Sequence, residues 1–326
     1  MKSFAFAAVI GVASAVDAQA MSYLNHIATF RRDIVNEAEF NMRMERFNEV
    51  DAFIKEHNAS NATYTAGHNQ FSDWTFAEYK AILGHRRAPG MRSAPVKMDT
   101  SAIANSVNWV EAGGVTPVKD QGQCGSCWAF SATGSLEGAH YVASGELLSF
   151  SEQQLVDCAF LAYGDLACNG GLASNAYNYY MDGHNAETED SYPYFSGTTR
   201  SKGDCQYDAS SASDVTVQSY TAVTPQSVAD MKAALGQQPL AVAIEADKLV
   251  FQTYSSGIFD SDACGTNLDH AVLAVGYGSE DGQEYWLVKN SWASTWGDEG
   301  YIRMAITGDD AGICGVQLEP EFPTTN

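Results

Sequence analysis

The spacing of apolar and polar residues changes regime along the chain. Glu39, Arg43, Phe47, Val50, Ile54 and Asn58 recur at steps of four, four, three, four and four, which stacks them on one face of a helix. A shorter helix is predicted from Thr75 to Leu83, with Thr75 as N-cap and Glu78 three residues on. Residues 84–104 hold Arg86, Arg87, Pro89, Gly90, Arg92 and Pro95 with little periodicity, and read as an exposed, cleavable linker. A glycine-rich loop, Gln121 to Ser126, then runs into a helical pattern carried by Trp128, Phe130, Ala132, Leu136, Ala139, Tyr141 and Val142. Ser151 opens another helix. Further on the period shortens. Pro239–Ile244, His270–Val275 and Glu284–Val288 are apolar runs of strand length, the last two joined by a hairpin loop at Gly278–Gly282.

Composition adds an export leader and a boundary. Lys2, an apolar stretch from Phe4 to Ala15 and Ala18-Gln19-Ala20 form a secretory signal, too short to span a membrane. No later run reaches about 18 apolar residues, so no membrane span is expected. The net charge of −22 is one-sided: residues 21–100 carry ten basic and ten acidic side chains, whereas residues 101–326 carry seven and 29. That excess argues against nucleic acid as a partner. Asn58-Ala59-Ser60 and Asn61-Ala62-Thr63 are glycosylation sequons. The expected organisation is a signal peptide at 1–20, a removable segment at 21–100 and a mature domain at 101–326. Within the last, about 101–215 reads as mainly helical and about 216–326 as mainly β.

Seven cysteines, at 124, 127, 158, 168, 205, 264 and 314, leave one unpaired in an exported chain. Cys124 and Cys127 form a C-x-x-C, so a redox pair has to be weighed. Zinc is not expected, because no second Cys/His pair stands at ligand spacing. A cysteine where a loop enters a helix meets unpaired N–H groups and the helix dipole, which lower a thiol's pKa. A nucleophilic thiol also needs a base, and the base an orienter. His26, His57, His68 and His85 fall in the removable segment, which leaves His140, His184 and His270. His270 opens an apolar strand. If the hairpin is centred on Glu280, Asn290 lies opposite it, and an amide there holds an imidazole's tautomer. The alternative is a satisfied core histidine.

These residues resemble the papain-like cysteine proteases, specifically their cathepsin L-like branch. Gln121-x-x-Cys124-Gly125-Ser126-Cys127-Trp128 is similar to the family's nucleophile segment. Leu268-Asp269-His270-Ala271 is similar to its histidine segment, and Lys289-Asn290-Ser291-Trp292 with Trp296-Gly297 to its asparagine segment. Glu39, Arg43, Phe47, Ile54 and Asn58 match the family's propeptide helix, Val50 departing from it, and Gly67, Asn69, Phe71 and Asp73 match the second propeptide motif. The resemblance implies an α+β fold of two lobes, one helical and one β-barrel-like, with a cleft between them and a helical inhibitory propeptide in front.

It implies Cys127 as nucleophile, His270 as its partner, Asn290 as orienter and Gln121 as oxyanion donor, with Trp292 shielding the His–Asn contact. It implies the disulfides Cys124–Cys168, Cys158–Cys205 and Cys264–Cys314; cysteine counting alone leaves fifteen pairings open. Gly170 and Gly171 are expected to pair with substrate backbone. Leu172, Ala173, Leu268, Ala271 and Glu319 are expected to shape the pocket for the second residue before the scissile bond, where Glu319 would accept a basic side chain. No cathepsin B-like occluding loop is seen between Cys127 and Cys205, so an endopeptidase is expected. It would be a cofactor-free zymogen, activated in acid and monomeric, that acts on polypeptides and meets cystatin-like inhibitors in a lysosome, acidic vacuole or extracellular space. The rivals are a catalytically silent binding or storage homologue and a disulfide oxidoreductase.

Overall fold

The stepped pattern at 39–58 becomes a helix of 22 residues. The structure, a computed structural model, describes residues 19–86 and 93–326. The signal peptide through residue 18, and linker residues 87–92, lie outside the described residues. Helix α1 covers residues 19–30 and α2 Glu37–Asn58. Asn36 caps α2 by accepting from the Glu39 amide; Glu37 and Glu39 lie in the first turn and Lys55 and His57 in the last, which suits the helix dipole. Phe47, Val50 and Ile54 are its buried face. Strand β1 (Tyr64–Ala66) follows, and Asn58 fastens it: Nδ2 donates to Ala66 O at 2.8 Å while Oδ1 accepts from Ala66 N at 2.9 Å. Helix α3 (Phe76–Ala81) begins with the full capping box of Thr75 and Glu78.

Arg43 ties these pieces together. Its guanidinium forks onto Glu78 at 2.7 and 3.1 Å and also pairs with Glu39 at 2.8 Å. Asp73 is fully buried, which raises its pKa, but His26 and Arg32 outweigh burial and hold it at about 2. Removing one partner of a forked, mostly buried ion pair leaves the others uncompensated. Arg43→Ala is therefore expected to cost about 2 kcal/mol, read as a lower urea midpoint for unfolding of the whole chain. An unchanged midpoint would show the fork to be solvated.

The rest of the chain holds β2 (Val107–Asn108), α4 (Cys127–Ser144), α5 (Glu152–Cys158), α6 (Ala173–Met181), α7 (Ser196–Thr199), β3 (Val217–Ala222) and α8 (Val228–Leu235). Then come β4 (Leu240–Ile244), α9 (Leu249–Gln252), β5 (Tyr254–Phe259), β6 (His270–Glu280), β7 (Gln283–Lys289), β8 (Tyr301–Ala305) and β9 (Glu321–Thr325). The strand order is β1-β5-β8-β7-β6-β4-β9-β3, with β2 on β6. Among the described residues this path does not join its ends. The β5–β8 pair is parallel, while β1 adds antiparallel to β5 and so brings the N-terminal segment into the sheet.

One core packs α4, α5 and α6 through Trp128, Ala132, Leu136, Leu155, Val156, Ala176 and Tyr177. A second lies on the sheet, and Phe71, Trp74, Tyr79 and Ile82 of the N-terminal segment belong to it with Phe251, Trp292 and Trp296. Helix α4 is buried on nearly every face. It packs so closely on β6 that a Cβ at Gly134 would stand 2.9 Å from a Leu273 methyl. That contact brings the start of α4 to the start of β6.

The β6–β7 register differs from the one centred on Glu280. The turn is only Asp281–Gly282, both at positive φ, and Glu280 pairs with Gln283. An Asp-Gly pair tolerates that two-residue turn, so the strands run on through Gly278 and Ser279. A bulge between Ala274 and Gly276 shifts the pairing again, to Leu273 with Lys289. Continued past the end of β7, this register would set Trp292, not Asn290, across from His270. The two side chains meet for another reason: the chain leaves the ladder at Asn290, whose amide donates to Gly300 O at 3.0 Å.

Candidate active site

Six cysteines are bonded as Cys124–Cys168, Cys158–Cys205 and Cys264–Cys314, and Cys127 is free. Cys124 and Cys127 therefore do not form a redox pair. Cys127 is the first residue of α4, and its Sγ lies 3.4 Å from the amide of Ala271, the residue after His270. It also accepts from the amide of Gly84, at 3.2 Å. The thiol is fully buried. Burial pushes its pKa up to about 12 against the amides of Ala271, Gly84 and Trp128, so the lowering expected from the helix start does not prevail here. Gly84, from the N-terminal segment, is among the groups packed on the sulfur.

Hydrogen bonding sets the orientation of the other groups. Asn290 Oδ1 accepts from the Ser291 amide at 2.8 Å, so that atom is the amide oxygen. It also stands 2.8 Å from His270 Nε2, which must then be the donor. The neutral ring carries its proton on Nε2, and Nδ1, buried and without a hydrogen-bond partner, keeps its lone pair. Burial lowers His270 to about 4, opposed by the bond to Asn290. Trp292 stacks on the ring at 4.5 Å between centroids. The indole N–H of Trp292 and the Ser291 hydroxyl both donate to Gln121 Oε1, at 3.1 and 2.7 Å. An indole nitrogen only donates, so Gln121 presents its NH2 to the cleft. Behind the site, Lys289 Nζ reaches Thr116 O at 2.7 Å and Thr116 donates to Glu137 of α4 at 2.7 Å, which ties the end of β7 to the thiol's helix.

Residues 103–324 match the model of the papain family of cysteine proteases. The chain belongs to that family. Residues 23–79 match the cathepsin propeptide inhibitor domain (I29), and the chain falls in the cathepsin L-like branch. "Probable cysteine protease RD21B" of Arabidopsis thaliana is 43% identical over 291 residues, which cover 88% of this chain and 61% of that one. The chain thus spans about three fifths of the length of that relative, and 62% of a second from the same plant. "Digestive cysteine proteinase 1" of Homarus americanus is 40% identical, with 87% of each chain covered. Among solved structures, digestive procathepsin L 3 of Tenebrio molitor larval midgut superposes with a TM-score of 0.85 at 35% identity, covering 94% of this chain and 99% of that one. A recombinant stem bromelain precursor gives 0.84 at 32%, with the same coverage.

In this papain-family chain the segment just after the inhibitor-domain match, residues 82–86, runs across the site. Gly171 N donates to Gly84 O at 2.9 Å, and Arg86 N donates to Gly171 O at 3.1 Å, a parallel pairing about His85. Gln121 Nε2 donates to Ile82 O at 2.8 Å. What faces the sulfur is an N–H of Gly84, not a carbonyl carbon. His85 enters a pocket walled by Ser131, Ala173, Ala243, Ala271 and Glu319, where its Nε2 stands 3.1 Å from Glu319 Oε2. Leu172 leads into α6, and Leu268 lies against Gly315. Gly170 is beside Arg86.

By sequence His85 falls in the removable segment, and Ser131 and Ala243 belong to no motif. No local pattern marks them, since each reaches the pocket from a different element. Among the described residues no group of three His, Cys, Asp or Glu side chains is placed to hold a metal ion, and no helix is long and apolar enough to cross a membrane.

Proposed function

We propose that the chain is a cysteine endopeptidase made as a zymogen. The observation that carries this is the donor logic at His270. Asn290 Oδ1 accepts from Nε2, which leaves Nδ1 bare, and the amide of Ala271, the next residue, donates to Sγ of Cys127, the free thiol. Cys127 gives its proton to Nδ1 once the propeptide leaves, because exposure removes the burial that holds both groups neutral. The thiolate attacks a peptide carbonyl, and the oxyanion is met by the Cys127 amide and Gln121 Nε2. His270 then protonates the leaving amine and helps water release the acyl group. Trp292 keeps water from the His270–Asn290 bond.

The wider reading is a signal peptide at 1–20, a propeptide at 21–100 and a two-lobed peptidase at 101–326 with a barrel-like β lobe. The protein would be monomeric, routed to an acidic or extracellular compartment and open to cystatin-like inhibitors. Acidifying the reduced proform with a peptide substrate and an epoxide thiol trap tests it. Trap-sensitive cleavage is expected. Propeptide loss without cleavage would instead support a silent binding homologue.

The pocket reading is narrower. Gly170 and Gly171 pair with substrate backbone, and Leu172, Ala173, Leu268, Ala271 and Glu319 shape the pocket for the second residue before the scissile bond. A side chain with a ring nitrogen already stands against Glu319 there, that of His85. Arg-Arg substrates are therefore expected to be cleaved as well as Phe-Arg ones, and Glu319→Gln to lower kcat/KM for Arg-Arg about 10- to 100-fold while sparing Phe-Arg. Equal failure on Arg-Arg with and without Glu319 would end this reading.

A further inference from the structure

We propose that Asp165 is a positioning residue for substrate, a proton-dependent prop that holds the Gly171–Leu172 peptide in its binding orientation while neutral and loosens it when ionised. The proposal rests on Gly171 being the substrate's main-chain partner. A trans peptide points its C=O and N–H in opposite directions. In the Gly171–Leu172 unit the carbonyl faces the cleft and accepts from Arg86 N at 3.1 Å. The N–H of the same unit points inward and donates to Asp165 Oδ1 at 3.0 Å. Asp165 therefore grips the buried edge of the plane whose outer edge binds the cleft strand. Asn175 Nδ2 donates to the same oxygen at 3.0 Å and anchors the carboxyl to α6. The fit is close: a Cβ on Gly171 would stand 2.4 Å from Oδ1. The loop is also braced by Leu166 N donating to Gly170 O at 2.7 Å and Leu161 N to Asp165 O at 2.9 Å.

The carboxyl is poorly provided for as an anion. Its side chain is wholly buried, and Oδ2 has no hydrogen-bond partner. Among the described residues, the elements packed on it supply no cation: α4 brings the Trp128 ring, α6 brings Asn175, and the loop brings main chain. On the cleft side Arg86 stands beside Gly170, and it departs with the propeptide on activation. Burial raises Asp165 to about 8, with Asn175 and Leu172 opposing. The sign follows. From the ordinary carboxylate value near 3.8 up to about 8, the folded loop holds a proton that the unfolded chain has released, so loop stability falls as pH rises through this window. In acid the carboxyl is neutral and the prop is intact. Above the window the anion is relieved only by admitting water, and its cover is the Gly170–Gly171 segment.

Asp165→Asn keeps the acceptor and the shape but cannot ionise. On activated enzyme, the wild-type KM for a peptide substrate is expected to rise about tenfold between pH 6 and pH 9, and that of Asp165→Asn less than twofold. The kcat profile, governed by Cys127 and His270, is expected to stay the same in both. An equal rise of KM in both enzymes would overturn the proposal. If the variant does not mature, the carboxyl is followed by carbon NMR in wild-type proform labelled at aspartate. A midpoint above pH 6 supports the prop, and one near 4 overturns it. The NMR readout does not depend on hydrolysis, so failure here is distinguishable from failure of the peptidase reading.

Discussion

Cys127→Ala is expected to give a folded proform whose peptidase part hydrolyses nothing, a fall of about 10⁴-fold or more in kcat/KM. No other cysteine can substitute, because the remaining six are bonded in pairs. His270 would keep its place through Asn290, and Gln121 through Ser291 and Trp292, since none of those bonds involves the sulfur. Stability is expected to change little. The Gly84 and Ala271 amides lose only a weak sulfur acceptor, and the space vacated is a single atom. The measurement is single-turnover cleavage after the propeptide has been removed in trans. Residual activity within tenfold of wild type would mean that another group is the nucleophile.

Gly84→Ala is expected to break autoinhibition. Gly84 needs to be glycine for space rather than for backbone freedom: a Cβ there would lie 1.8 Å from Gly125 O and 2.4 Å from Gly125 C, both main chain. Neither atom can swing aside, so the propeptide strand must lift. Lifting it strains or removes the Gly84 N–H bond to Sγ, the Gly171 pairing and the seat of His85 against Glu319. Losing two or three such contacts is worth about 3 kcal/mol or more, roughly a 100-fold weaker inhibition constant for the propeptide added in trans. A second readout is alkylation of Cys127 by iodoacetamide at pH 7, expected to be at least tenfold faster in the variant proform as burial is relieved. Unchanged inhibition and alkylation would mean that the docked aromatic cluster of Phe71, Trp74 and Tyr79 holds the propeptide without the strand.

Much was legible where the code is local. The helical steps from Glu39 to Asn58 became the buried face Phe47, Val50 and Ile54, and the Thr75–Glu78 capping box formed as read. A period of 3.6 or 2 is written within a few residues, so it survives whatever the element packs against. The hairpin shows the limit. Its strands and turn residues are visible in the sequence, but the register depended on a two-residue turn and on a bulge that no spacing displays.

The thiol shows the same division. Its place at the start of α4 is local, whereas the direction of its pKa is set by burial, and Gly84, 43 residues away, is one of the groups packed on the sulfur. His85 reads as one more linker residue until 234 positions of sequence separation close between it and Glu319. Asp165 likewise looks like a loop aspartate until Gly171 and α6 close over it. The sequence by itself determined the family, the elements and which side chains carry chemistry, because motif, period and cysteine parity are properties of short stretches. Only the tertiary structure decided which groups are buried, which strand blocks the sulfur and which carboxyls meet a partner. Desolvation and close approach are created by segments far apart in the chain, and exist only once those segments have packed.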